Sequence, residues 1–271
     1  MGDVMNNQPI LKYESGKLIE AEDMVANESA LTVQVNGEEF ATMVCTPSHM
    51  EELVMGFLAS EGLIRLPNEI DSLSIDKDKG FAYVILKNKK ISSANFVTKR
   101  VIGSCCGKSR QFYFHNDMKT AKTVTTKTTI TPDQCIALMK AMQDGSSDFQ
   151  KTGGLHNTAL CSKNEVLVSR SDIGRHNALD KIYGHCMFHQ ISLKDKVIAF
   201  SGRISSEVLL KVSKIGAGIL LSKSAPTSLA IELADDLGIT AVGFIRGNRF
   251  NVYSHPERVI NLNDNDCSSQ G

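Results

Sequence analysis

Between residues 29 and 44 polar and apolar positions alternate in two runs, SALTVQV and EEFATMV, separated by Asn36-Gly37. Alternation is the period of a strand with one buried face. Asn-Gly readily takes the positive φ of a two-residue turn, so the pattern predicts a hairpin opening the fold. The spacing then changes. Met50, Leu53, Val54, Phe57 and Leu58 recur at helical intervals, with Thr46 placed to cap, Pro47 in the first turn and Gly62 to end the helix. Residues 81–87 (FAYVILK) and 96–102 (FVTKRVI) read as further strands. The first part of the chain is therefore expected to be a small α+β unit.

Residues 119–131, KTAKTVTTKTTIT, are rich in Thr and Lys and read as a linker or an exposed edge strand. The expected division is a small α+β N-terminal domain over 1–115, ending in a cysteine-bearing loop, a linker over 116–131 and an α/β domain over 132–271. Beyond the linker the pattern predicts a helix from Pro132 to about Met142 and two strands, LHNTALC and EVLVSR. Helix and strand then alternate through NALDKIYGHCMF, KVIAFSG, SSEVLLKVSKIG, GILLSKS, TSLAIELADDLG and ITAVGFI. Such repeats argue for a mainly parallel sheet covered by helices. Ser205 or Ser206 suits a cap, with Val208, Leu209, Val212 and Ile215 on one face and Gly216 ending the run. Ala230, Leu233, Ala234 and Leu237 repeat that spacing before Gly238, and the tail after Arg258 reads as frayed.

At 271 residues with 42% hydrophobic and 22% charged positions, the chain has ordinary globular usage. Thirty basic and thirty acidic residues leave no net field to attract a nucleic acid polymer or an anionic membrane, so any anion site must be local. The first twenty residues lack a basic start with an apolar run, and no run approaches a membrane span, which places the protein in the cytoplasm. Seven cysteines without regular spacing fit reduced intracellular thiols.

Cys105 and Cys106, in GSCCGKSR, stand apart from that background. A disulfide between neighbours is strained, because Cα atoms ~3.8 Å apart fall below the usual ~4.4 Å floor. A zinc site is a poor reading too, since no C-x-x-C occurs in the chain. Lys99, Arg100, Lys108 and Arg110 surround the pair with no acid nearby, which favours a thiolate of lowered pKa on a loop opened by Gly103 and Gly107. The bland alternative is a solvated basic loop with incidental cysteines.

Three further stretches carry chemistry. SRSDIGRHNALDKIYG (169–184) presents Arg175, His176 and Asn177 at a helix start, an arrangement suited to an anion or a polar ring, or simply a capped turn with solvated side chains. GGLHNTALC and SGRISSE set His156 and Arg203 where open α/β sheets bind ligands. FIRGNR (244–249) places Arg246 and Arg249 around a glycine, spacing that holds a diphosphate or stacks on a base, or forms a plain turn. His185 and His189 are two potential metal legs with no acidic partner evident in the sequence, and surface histidines at a helix end are the commoner case. The zinc-deaminase signature is lacking, since HME (49–51) has no P-C-x-x-C after it.

Taken together, TPSHMEELVMGFLASEGLI, the cysteine loop, GGLHNTAL, SRSDIGRHNALDKIYG and the long run from SGRISSE through FIRGNR to PERV resemble, in order, the formate dehydrogenase accessory sulfurtransferases of the FdhD/NarQ family. The resemblance spans about residues 20–260. It implies a cytidine-deaminase-like α/β fold, a mixed sheet sandwiched by helices and without catalytic zinc, preceded by the smaller domain. It also implies a sulfurtransferase that accepts sulfur as a cysteine persulfide from a pyridoxal-phosphate cysteine desulfurase. The sulfur passes to the bis-molybdopterin guanine dinucleotide form of the molybdenum or tungsten cofactor, for a formate dehydrogenase apoenzyme.

Many members carry S-x-C-G-x-C-G in the loop. That alignment makes Cys106 the persulfide carrier and puts Ser109 at the second cysteine, leaving Cys105 as helper or bystander. By the same resemblance the cofactor-binding segment is Phe244, Ile245, Arg246, Gly247, Asn248 and Arg249, with Arg175, His176, Arg203 and Lys223 as further contacts. A cofactor escort that moves no sulfur is the alternative, and a homodimer is expected from the general frequency of symmetric oligomers.

Overall fold

The computed structural model describes residues 4–89, 100–102, 121–145 and 152–261. The fold opens earlier than the pattern suggested. Before the Asn36-Gly37 hairpin comes another, β1 (Met5–Glu14) and β2 (Lys17–Ala26), paired antiparallel through a Ser15-Gly16 turn with φ of 52° and 84°. These strands form a two-stranded sheet of their own.

The expected hairpin follows as β3 (Ser29–Val35) and β4 (Glu38–Cys45), with Asn36 and Gly37 both at positive φ. With β5 (Ile70–Asp76), β6 (Phe81–Leu86) and β7 (Arg100–Ile102) they make a five-stranded sheet in the order β5-β6-β3-β4-β7. The expected strand over 96–102 is thus described only for its last three residues.

Helix α1 (Met50–Ser60) buries Leu53, Val54, Phe57 and Leu58, as the stripe predicts. Its start differs from expectation: the residue before it is His49, in left-handed geometry at φ 50°, and Pro47 precedes the first turn. Thr46 is drawn away from capping because it is fully buried against the C-terminal half. Its N–H donates to Asp172 Oδ2 at 3.0 Å and its Oγ1 accepts from Ile173 N at 3.0 Å.

The C-terminal half is a six-stranded mixed sheet in the order β13-β12-β11-β10-β8-β9. Its strands are β8 (His156–Cys161), β9 (Val166–Asp172), β10 (Val197–Phe200), β11 (Ile219–Ser222), β12 (Thr240–Arg246) and β13 (Arg249–Val252). Strands β10, β11 and β12 run parallel, while β8, β9 and β13 pair antiparallel. Alternate residues split between two faces. Ala159, Cys161, Val197, Ala199, Ile219, Leu221 and Val242 meet helix α2 (Pro132–Asp144). Leu160, Ile198, Phe200, Leu220 and Ala241 meet α3 (Arg175–Phe188), α4 (Ser206–Ile215) and α5 (Ser228–Leu237). Ser205, Gly216 and Gly238 cap where the sequence placed them, the glycines at positive φ, and Thr227, not named from the sequence, accepts from the third residue of α5 as Ser205 does in α4.

One apolar core runs through both sheets, from Leu31 and Met43 to Leu220 and Ala241. Helices α1 and α3 cross at its centre, where two glycines let the backbones touch. A Cβ at Gly56 would overlap the Asp180 carbonyl, and one at Gly184 that of Glu52. Residues 121–130, part of the stretch read as a linker, lie against the C-terminal half: Val124 N donates to Leu237 O, Lys122 N to Ser213 Oγ, and Ile130 is buried beside α2. The tail is held for two residues past Arg258, since Ile130 bridges Val259 and Ile260 N donates to Ile130 O. No helix among the described residues is long and apolar enough to cross a membrane.

Candidate functional site

The strand directions gather one rim. Strands β10, β11 and β12 end on the same edge of the sheet. There β8 begins and β9 ends, because Phe200 pairs with Thr158 and His156 with Asp172. The arginines and the lysine singled out beyond the cysteine loop fall on this rim together with His176: Arg175 and His176 after β9, Arg203 after β10, Lys223 after β11, and Arg246 and Arg249 flanking the β12–β13 turn. From β9 to β13 the rim spans five strand spacings, or about 24 Å.

Asp172 organises its β9 end. The carboxylate is fully buried; Oδ1 accepts from Gly174 N at 2.8 Å and Asn177 Nδ2 at 2.9 Å, while Oδ2 pairs with Lys181 Nζ at 2.7 Å. Lys181, itself fully buried, also donates to the carbonyls of Thr46 and Ser171. This network fixes the turn that launches α3, so Arg175 and His176 sit on a rigid base. Gly174 precedes α3 and no side chain caps it, leaving amide donors at its start.

The Arg175 Nε–H is buried without a hydrogen-bond partner, an unmet donor of the kind an incoming acceptor satisfies. His176 Nε2 lies 3.0 Å from Glu207 Oε2, an ion pair whenever the ring is protonated, although the N–H does not point straight at that oxygen. His156 has its pKa held below the ordinary imidazole value, first by burial and then by the Arg175 charge.

The last strand supplies a strained feature. At a register shift between Gly243 and Arg246, Phe244 takes φ 59°, a left-handed geometry that costs a non-glycine residue about 1 kcal/mol or more. The Phe244 N–H donates to Ser224 O at 3.2 Å, and Arg246 stacks 4.3 Å above its ring. Gly247 and Asn248 form the turn beyond, with Arg246, Gly247, Asn248 and Arg249 all exposed. Ile245 departs from its expected role. Its side chain is buried in the core beneath α2 beside Val242, because the irregularity at Phe244 breaks the alternation that would have set it on the Ala241 face.

The sequence reading missed a second constellation. Glu52 of α1 receives Arg170 Nε at 2.5 Å and Nη2 at 2.7 Å, and His185 Nδ1 lies 2.9 Å from Glu52 Oε1. His189 stacks on His185, so the two helical histidines do have an acidic partner, 133 residues away. The Arg170 guanidinium, 3.0 Å from His185 Nδ1, already supplies the positive charge that a metal would bring there. Burial pushes the Glu52 carboxyl up, but hydrogen bonds from Arg170 and His185 outweigh it and leave the pKa below the ordinary value. Local spacing marked His185 and His189, and only the chain fold brings Glu52 and Arg170 to them.

Cys105 and Cys106 lie outside the described residues, as do Lys99, Lys108, Ser109 and Arg110. The described cysteines narrow the choice of nucleophile. Cys45, Cys135, Cys161 and Cys186 are buried, and burial pushes each thiol up to about 12, so none is a thiolate at neutral pH.

Known proteins share this architecture and sequence. A crystal structure from Desulfotalea psychrophila, described as that of a formate dehydrogenase accessory protein, superposes with a TM-score of 0.77 at 23% identity, covering 95% of this chain and all of that one. The chain is 60% identical over 259 residues to the sulfur carrier protein FdhD of Geobacillus kaustophilus, covering 96% of this chain and 98% of that protein. To the sulfur carrier protein FdhD of Bacillus subtilis it is 58% identical over 250 residues, covering 92% and 95%. Residues 26–260 match the FdhD/NarQ family model, and the chain belongs to the FdhD/NarQ family.

Proposed function

We infer that the protein is a sulfur carrier serving a formate dehydrogenase. Sulfur arrives as a cysteine persulfide from a cysteine desulfurase and leaves for a molybdenum or tungsten bis-molybdopterin guanine dinucleotide bound as substrate. The observation that carries this reading is the near full-length similarity to sulfur carrier proteins. Loading is a thiol exchange: the Cys106 thiolate attacks the outer sulfur of the donor persulfide, the donor's S–S bond breaks, and the donor cysteine departs as thiolate. Neighbouring cations in GSCCGKSR favour the attacking thiolate.

The rim supports the second half of the reading. Arg175, His176, Arg203, Lys223, Arg246 and Arg249 form a basic edge with an unmet Arg175 donor, and the Phe244 ring stands beside it, chemistry suited to diphosphates and to a guanine plane. The six-stranded sheet between α2 and α3–α5 serves as a deaminase-like scaffold put to binding.

Intact mass after incubation with a desulfurase, pyridoxal phosphate and cysteine tests it. One added sulfur is expected on the native chain and on Cys105→Ala, and none on Cys106→Ala. Sulfur retained by Cys106→Ala would move the carrier to another thiol; no loading of any variant would leave the cofactor-escort reading.

A further inference from the structure

The end of the molecule away from the rim holds a cleft that the sulfur-carrier reading does not use. Helix α4 starts at the rim with its Ser205 cap, and Lys214 lies near its other end, roughly 12 Å along the axis. There a cavity of about 280 Å³ opens between the two halves. It is lined by Arg65 from the connection after α1, Lys122, Tyr183 of α3 and Lys214 of α4, and no carboxylate is among the described residues around it. Asp180, whose charge reaches Tyr183, is already engaged: its oxygens pair with Lys211 Nζ at 2.6 and 2.7 Å, and Oδ1 also accepts from Ser60 Oγ at 2.7 Å.

The cations are held in place. Lys214, only 5% exposed, donates through Nζ to Ser60 O at 2.6 Å, which sets a positive charge in the cavity wall. Lys122 Nζ donates to Lys214 O at 3.3 Å, a neutral acceptor that orients the ammonium without cancelling its charge. The Arg65 guanidinium has no ion pair among the described residues.

Tyr183 gives an independent indication. The residue is 8% exposed, yet its hydroxyl makes no hydrogen bond among the described residues. Burial, and after it the Asp180 charge, pushes its pKa up, so the proton stays on and the group is a donor. A donor buried without a partner carries a desolvation cost that an acceptor inside the cavity would relieve.

The cavity continues into a groove of about 930 Å³, since Arg65, Lys122 and Tyr183 line both. Beyond the cations the groove is mostly apolar, with Leu66, Ile70, Leu73, Met187 and Ile191, and Asp71 is its one carboxylate. An apolar cleft with a few convergent polar groups at one end is the usual form of a small-molecule site. We propose that this cleft binds an organic anion with an apolar body, its oxyanion head held by Arg65, Lys122, Lys214 and the Tyr183 hydroxyl and its body lying along the groove. Carboxylate and phosphate heads share the required chemistry. The site lies apart from the basic rim and does not depend on what the rim binds.

Titration calorimetry of the full chain with decanoate, decyl phosphate, decanol and inorganic phosphate reads the outcome. One amphiphilic anion per chain is expected, the tighter of the two naming the head. Decanol, which lacks the charge, and inorganic phosphate, which lacks the body, are each expected to bind at least about tenfold more weakly. Tyr183→Phe keeps the ring and deletes only the donor, and a loss of about tenfold is expected, the effect of one hydrogen bond to a charged group. Lys122→Gln at the exposed mouth is expected to weaken binding as well, and Arg246→Ala on the rim to leave it unchanged. Thermal midpoints near the parent's show that the variants are folded. No binding of either amphiphile overturns the proposal, as does binding indifferent to both Tyr183→Phe and Lys122→Gln. Decanol or phosphate matching the amphiphiles, or a loss in Arg246→Ala that puts the anion on the rim, overturns it too.

Discussion

Gly184→Ala tests how tightly the two halves are held. A Cβ at position 184 overlaps the Glu52 carbonyl on α1, and backbone cannot rotate away as a side chain would, so α1 and α3 must part by an ångström or more. Overpacking of this kind costs about 1–3 kcal/mol. Parting also stretches the polar links across the crossing: Ser60 Oγ to Asp180 at 2.7 Å, His185 to Glu52 at 2.9 Å and Asn177 Nδ2 to the Val44 carbonyl at 2.9 Å. Losing one such buried bond adds about 1–3 kcal/mol. The expected sum, about 4 kcal/mol, is a large part of a typical 5–15 kcal/mol and lowers the thermal midpoint by about 8–16 °C. Thermal denaturation followed by circular dichroism reads this, with Glu51→Ala on the exposed side of α1 as control. A midpoint within ~3 °C of the parent would refute the close crossing.

Asp172→Ala leaves Lys181 buried and unpaired and frees the turn before α3; a loss of about 3–5 kcal/mol in urea unfolding is expected. Phe244→Gly relieves the left-handed strain but removes the ring under Arg246, so the thermal midpoint is expected to hold or rise while guanine nucleotide affinity, measured calorimetrically, falls. Burial, first of all, holds the pKa values of His49 and His156 below the ordinary imidazole value, so the unfolded chain binds protons first on acidification; stability is expected to fall as pH drops below about 6.5, less steeply in His156→Gln. Native alkylation at neutral pH is expected to reach no more than three of the seven cysteines by intact mass, because the four described thiols are buried with pKa about 12.

Local order was readable because it is set by local rules. The β3–β4 hairpin follows from Asn36-Gly37, the α4 and α5 caps from Ser205, Gly216 and Gly238, and the repeating units from their periodicity. The β1–β2 hairpin carried a turn signal in Ser15-Gly16, but its flanks, with Leu18-Ile19 and Met24-Val25 side by side, lack the alternation that marks β3 and β4. The rim was half legible: the sequence named Arg175, His176, Arg203, Lys223 and the 244–249 segment, but only strand direction could put them on one edge, and only the irregularity at Phe244 turns Ile245 under α2. Thr46 shows the limit. Its spacing suits a cap, yet its Oγ1 accepts instead from the N–H of Ile173, 127 residues away. Of the Glu52–Arg170–His185 cluster the sequence showed only the histidine spacing, and the Gly56–Gly184 crossing not at all, since each joins residues far apart in the chain. Sequence determined which segments form strands and helices; tertiary structure decided which charges meet, because burial and long-range pairing are properties of the packed chain.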